Sequence, residues 1–158
     1  MSVDTNYVDV FDNVIAYTSL ELNNVNVVFK NIDNDHIISN IKLDSNLHHT
    51  DIKIATLNNQ TVALVGLNNG NLLIFSINDG KIISNINISN NAITTFTIKD
   101  ESVFILDTEN VLFNLNLVDY EHEVINNLSE FVNQQSINNI TALDDKFLIS
   151  TQSVKLID

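Results

Sequence analysis

The stretch Leu72-Leu73-Ile74-Phe75-Ser76-Ile77-Asn78-Asp79-Gly80-Lys81-Ile82-Ile83-Ser84-Asn85-Ile86 decides the fold. An apolar run leads into a turn-forming triplet, and the triplet leads into Ile-Ile-Ser-Asn-Ile. The same order occurs 45 positions earlier, as Val27-Val28-Phe29-Lys30-Asn31-Ile32, Asn34-Asp35-His36 and Ile37-Ile38-Ser39-Asn40-Ile41. A repeat of about 40–45 residues marks a chain of stacked supersecondary units. The runs are short, rich in Val, Ile, Phe and Thr, and separated by Asn69-Gly70 and Asp79-Gly80. Such dipeptides supply the positive φ angles of tight hairpins, so the units are sets of antiparallel strands.

Extending the register outward gives four copies. The first lacks an opening strand and runs Val14 to Thr18, Val25 to Ile32 and His36 to Leu43. The second runs Ile52 to Leu57, Val62 to Leu67, Asn71 to Ile77 and Lys81 to Ile88. The third runs Ile93 to Ile98, Val103 to Asp107, Val111 to Leu117 and Glu123 to Leu128. The fourth runs Ile140 to Leu143, Phe147 to Thr151 and Ser153 to Asp158. Four short strands per repeat is the blade of a β-propeller. The predicted fold is all-β: residues 1–158 form one partial propeller of about three and a half four-stranded blades. Phe11, Phe29, Phe75, Phe96, Phe104, Phe113, Phe131 and Phe147 are predicted to pack between blades. A helical reading fails because Val, Ile, Thr, Asn and Asp are mediocre helix formers. Its best stretch, Val124 to Val132, reads more simply as a strand and a long connection.

Composition narrows the function. Twenty acidic residues stand against seven basic ones, all lysine, for a formal charge of −13. Nucleic-acid affinity comes largely from Lys and Arg neutralising phosphates, so direct binding of RNA or DNA is not expected. An anionic membrane surface repels such a chain, and no apolar run reaches the ~18 residues of a membrane helix. The absence of cysteine excludes disulfides and thiolate metal sites. Asn is spread through the whole chain and carries no functional signal by itself.

The second copy resembles a WD repeat. Leu64-Val65-Gly66-Leu67-Asn68-Asn69-Gly70-Asn71-Leu72-Leu73-Ile74-Phe75-Ser76 fills that frame, with Asn69-Gly70 in place of Asp-Gly and Phe75-Ser76 in place of Trp-Asp. Phe113-Asn114 and Leu156-Ile157-Asp158 take similar places later, and the Gly-His dipeptide of the family is missing. Within that class the chain is similar to WD-repeat subunits of the small-subunit processome, the family of U3 small nucleolar RNA-associated protein 5 and WD-repeat protein 43. Residues 62–70, Ile105-Leu106-Asp107 with Phe113-Asn114-Leu115, and residues 147–158 carry the likeness. The resemblance implies a nucleolar scaffold, within the nucleus, that supports pre-rRNA transcription, processing and ribosome biogenesis. Its partners would be other protein subunits of a large complex, with pre-rRNA associated indirectly. In that family a C-terminal helical domain follows the propeller. A closed ring of seven such blades needs roughly 300 residues, so a fragment or one half of a split propeller is expected. The alternative is a generic cytoplasmic WD-repeat adaptor in trafficking or a ubiquitin-ligase complex.

Residues able to do chemistry fall into a few short clusters. His48-His49 with Asp51 is the sole histidine pair, but neighbours on a strand point to opposite faces. A structural role is expected, His49 or His48 hydrogen-bonding within its blade as in WD repeats. Glu121-His122-Glu123 beside Asp119 reads as a charged hairpin tip. Asp100-Glu101, Asp107 with Glu109, and Asp144-Asp145 flank second strands, where Asp bonds its own backbone. A glycosidase pair of carboxylates would need an aromatic platform, and Trp is absent. No phosphate loop and no nucleophile elbow occur. The expectation is no enzyme activity, no cofactor, and no catalytic or metal-binding residue.

Overall fold

Strands form where β-branched and aromatic residues alternate or run together, and each ends where Asn, Asp or Gly supplies a turn. The computed structural model describes residues 7–21, 24–44, 46–57, 59–133, 135–144, 146–151 and 154–157. Four antiparallel sheets follow one another along the chain. The first blade holds β1 (Val8–Phe11), β2 (Val14–Glu21), β3 (Asn24–Asn31) and β4 (Ile37–Lys42). The second holds β5 (His49–Leu57), β6 (Gln60–Leu67), β7 (Asn71–Ser76) and β8 (Ile82–Asn87). The third holds β9 (Ile93–Lys99), β10 (Ser102–Asp107), β11 (Val111–Asn116) and β12 (His122–Asn127). The fourth has three strands among the described residues: β13 (Asn139–Ala142), β14 (Phe147–Ser150) and β15 (Val154–Ile157). Strand order within each sheet is simply sequence order. The opening strands pack in succession, β1 on β5, β5 on β9 and β9 on β13, which is the radial arrangement of a propeller.

The first copy does have an opening strand, contrary to the sequence reading. Val8-Asp9-Val10-Phe11 pairs with Tyr17 to Val14. It is short and largely exposed, so its apolar residues leave little pattern. Phe11 and Phe131 also depart from expectation, being exposed at 37% and 49%. Phe11 sits at the rim beside the first turn, and Phe131 lies in the connection after β12. Phe29, Phe75, Phe96 and Phe113 are buried as expected. Phe104 and Phe147 meet edge to face across the third seam, 4.8 Å apart.

The core lies between blades, not within one. Ala16, Val27 and Phe29 of the first blade meet Ala63, Val65 and Phe75 of the second. Leu64, Leu72 and Ile74 meet Phe96, Ile105 and Leu115 across the next seam. Leu106 and Leu112 meet Ile140 and Ile149 across the last. Each of these side chains larger than alanine is worth about 1.5–3 kcal/mol of burial.

One turn recurs between the third and fourth strands of each complete blade. The amides of Asn31, Ser76 and Asn116 donate to the carbonyls of His36, Lys81 and Glu121. Inside it Asp35, Gly80 and Tyr120 hold φ near +61°, +67° and +61°. The side chains of Asn34, Asp79 and Asp119 each accept from the amide two residues on. This explains the likeness of Asn34-Asp35-His36 to Asp79-Gly80-Lys81, and gives part of the Asn content a structural role. It also fixes equivalent positions in the three blades.

Candidate functional site

Two of the carboxylates singled out in the sequence, Asp51 and Asp107, fasten parts of the fold together. Asp51 is buried at the start of β5. One of its oxygens accepts from Thr95 Oγ1 at 2.9 Å and from the Phe96 amide at 3.1 Å, both on the third blade. Asp9 repeats the device one seam earlier, accepting from the Ile54 amide at 2.7 Å. Asp107, 1% exposed, accepts four hydrogen bonds. Ser89 Oγ and Asn91 Nδ2 reach one oxygen at 2.8 and 3.2 Å, and the amides of Glu109 and Val111 reach the other at 2.9 Å each. The expectation that Asp107 bonds its local backbone thus holds, and a contact to the incoming loop is added. Asp100 occupies a hairpin turn at φ +54°. Asp145 lies outside the described residues.

The histidine pair diverges. His48 is exposed, and its amide donates to Asn68 Oδ1 at 3.0 Å. His49 opens β5 and lies edge-on to Tyr7, with ring centroids 5.2 Å apart. The expected hydrogen bond within the blade is missing: neither ring nitrogen of His49 has a partner among the described residues. Burial, with the neighbouring His48 charge second, holds its pKa below the ordinary 6.5. The unfolded chain therefore takes up the proton first as pH falls. The fold keeps its full stability above 6.5 and loses some as pH drops from 6.5 through the lowered value. His49→Phe, which keeps the contact with Tyr7, is expected to flatten this loss. Urea midpoints of both proteins at pH 7.5 and 5.5 check it, and an identical fall in the variant would discard His49 as the cause.

The opening strands line a polar cleft of about 490 Å³, formed by Thr50, Asp51, Lys53, Thr94, Thr95 and Asn139 among others. Its charges are a neighbouring pair, Lys53 and Asp51, 3.7 Å apart.

A second region lies on the outer half of the seam between the third and fourth blades. Phe104, Asn114 and Glu123 are successive cross-strand partners, so their side chains form one row on one face of the sheet. On one side of the row is an apolar groove of about 320 Å³, lined by Phe104, Ile125, Leu143 and Phe147 with Lys99, Asp144 and Lys146 at its rim. On the other is a polar groove of about 260 Å³, lined by Asn114, Asn116, Asp119, Glu121, His122 and Glu123. Glu121-His122-Glu123 is thus a hairpin tip, as expected, and it walls a groove, which the sequence did not foretell.

Equivalent positions show how this region differs from the other seams. Two residues before the turn stand Phe29 and Ile74, both fully buried, and Asn114. The Asn114 side-chain oxygen is buried with no hydrogen-bond partner among the described residues. Ile41 and Ile86 pack on the next core, where the third blade has the exposed Asn126. The turn charges differ as well. Lys30 pairs with Asp35 at 2.5 Å, and this hydrogen bond raises the lysine pKa. Lys81 pairs with Asp79 at 3.0 Å; the Ser76 hydroxyl first, then Lys81, bring the Asp79 pKa down to about 2. In the third blade Leu115 and Glu121 replace those lysines. Among the described residues, Asp119, Glu121 and Glu123 have no ion-pair partner.

No protein-family model and no curated protein matches this sequence. Solved structures match by fold. The computationally designed Ika4 protein superposes with a TM-score of 0.71 at 10% identity, over 99% of this chain and 91% of that one. A chain of the Mitotic Checkpoint Complex gives 0.74 at 14% identity, over 97% of this chain and 46% of that one. Chaetomium thermophilum Raptor gives 0.79 at 12% identity, over 100% of this chain and 16% of that one. This chain therefore spans less than half of the latter two. The likeness is one of fold, an all-β partial propeller.

Proposed function

We propose that this chain is a non-enzymatic protein-interaction propeller that displays rims and seams to other subunits of a large complex. One observation carries the reading. The carboxylates Asp9, Asp51 and Asp107 bind between blades or within turns, while the uncovered seam of the third and fourth blades presents apolar and charged side chains together. That pairing is the usual make-up of a protein contact, an apolar centre with a charged rim. The structures of a checkpoint complex and of Raptor show the same fold.

The finer reading is membership of the small-subunit processome, in the nucleolus, with pre-rRNA held indirectly. It is supported by the resemblance of residues 62–70, 105–107 with 113–115, and 147–158 to that family, and by a charge unsuited to phosphate. Proximity labelling of the tagged chain in its own cells, with imaging beside a nucleolar marker, tests it. Labelled processome subunits and a nucleolar signal are the expected result. A cytoplasmic signal with labelled coat or ubiquitin-ligase subunits would overturn it in favour of the adaptor.

A further inference from the structure

We infer that the outer seam of the third and fourth blades binds an extended segment of a partner protein, one that alternates apolar and basic side chains. The inference rests on the interaction-propeller reading but not on processome membership.

The first element is shape. The apolar groove is lined by Phe104, Ile125, Leu143 and Phe147, of which Ile125 and Leu143 are 45% and 44% exposed. Every residue of β12 is exposed, whereas β4 turns three residues and β8 two partly inward. Among the described residues the fourth blade meets the third through Ile140 and Ile149, with Phe147 against Phe104 beside the groove. An aliphatic side chain fits this groove, and a neighbouring extended backbone can follow β12.

The second element is charge. Asp119, Glu121 and Glu123 gather beside the apolar groove. The two equivalent turns each carry a lysine that neutralises their acid, and this turn has none. The missing cation is what a Lys or Arg of the partner supplies. The Asn114 oxygen is an acceptor with no donor, at a position that is Phe29 or Ile74 in the other blades. A basic side chain lying over the row Phe104–Asn114–Glu123 pairs with the exposed Glu123 carboxylate. Spacing agrees, because in an extended segment alternate side chains lie on one face and adjacent ones on opposite faces. An apolar residue and a basic residue two positions apart therefore meet the groove and the acids.

The test uses the full chain and three fluorescein-labelled peptides of equal length: alternating Leu and Lys, alternating Leu and Glu, and alternating Ser and Lys. Fluorescence anisotropy is expected to show saturable binding of the Leu–Lys peptide alone, with slower amide exchange in β12 and residues 143–147. Glu121→Lys with Glu123→Lys, and separately Ile125→Asp, each weaken it about tenfold or more, as loss of a partly buried charge pair or an apolar anchor does. All three positions are exposed, so far-ultraviolet circular dichroism should show these variants still all-β. Equal binding of the Ser–Lys peptide, or binding unmoved by both variants, would reduce the effect to general attraction by an acidic chain and overturn the inference. Failure of the Leu–Lys peptide to bind folded protein overturns it too, while leaving the labelling result above to stand. A concentration-dependent dimer abolished by the same variants would assign the seam to a second copy instead.

Discussion

Replacing Gly70 with valine is expected to prevent stable folding, and alanine there to lower stability by about 4 kcal/mol or more. Gly70 holds φ at +82°, a region that costs an L residue roughly 1–2 kcal/mol. The larger part is contact. A β-carbon at Gly70 would stand 1.9 Å from the Ser89 carbonyl oxygen and 2.7 Å from that of Asn91. Both are backbone atoms, and that backbone cannot retreat, because the Ile88 and Ser89 amides donate to the Gly70 carbonyl. Gly80 provides the contrast. A β-carbon there meets the movable hydroxyl of Ser39 at 2.9 Å, and its equivalents Asp35 and Tyr120 already hold side chains in the left-handed region. Gly80→Asn is expected to cost no more than about 1 kcal/mol. Urea denaturation of both variants checks the pair; similar losses at the two sites would show that close approach at Gly70 is not the determinant.

Asp107→Ala is expected to cost about 2–4 kcal/mol, because buried donors lose a charged acceptor at roughly 1–3 kcal/mol each. Its carboxylate has four donors and no lysine. Truncation leaves the Glu109 and Val111 amides without their acceptor and frees the Ser89–Asn91 loop from the third blade. Asp107→Asn should fall between, since an amide offers one acceptor oxygen and places a donor against donors. Asp119→Ala, at an exposed turn with one local hydrogen bond, should cost less than about 1 kcal/mol. Matching midpoints for Asp107→Ala and Asp119→Ala would refute the role of Asp107 as the fastening between loop and blade.

The blades were legible because their information is periodic and local. Phe29 and Ile74 recur 45 positions apart in matching strands, and the turn at Asp79-Gly80 announces itself by residue type. The short strand Val8–Phe11 was not, because four mostly exposed residues give no apolar face to detect. Nor were the fastenings at Asp9 and Asp51, whose acceptors serve amides 45 residues away; an aspartate in an opening strand looks the same whether it binds locally or bridges a seam. Phe131 misled because side-chain type alone assigned it to the core. The groove was half visible: Glu121-His122-Glu123 drew notice as a charged tip, but its companions Phe104 and Phe147 come from other strands. Asn114 became informative only once the turn hydrogen bonds aligned it with Phe29 and Ile74.

Among the described residues the packing between blades runs mainly from each blade to the next, so the blades couple chiefly to their neighbours. A blade held by fewer packed neighbours opens more readily than one flanked on both sides. The fourth blade has three strands among the described residues. Its departure would carry Phe147 away from Phe104 and erase the seam while the other blades stay intact. Binding competence should then vanish at a lower temperature than folded structure does, and any segment held in the seam acts as a clip on the fourth blade, pulling the two temperatures together.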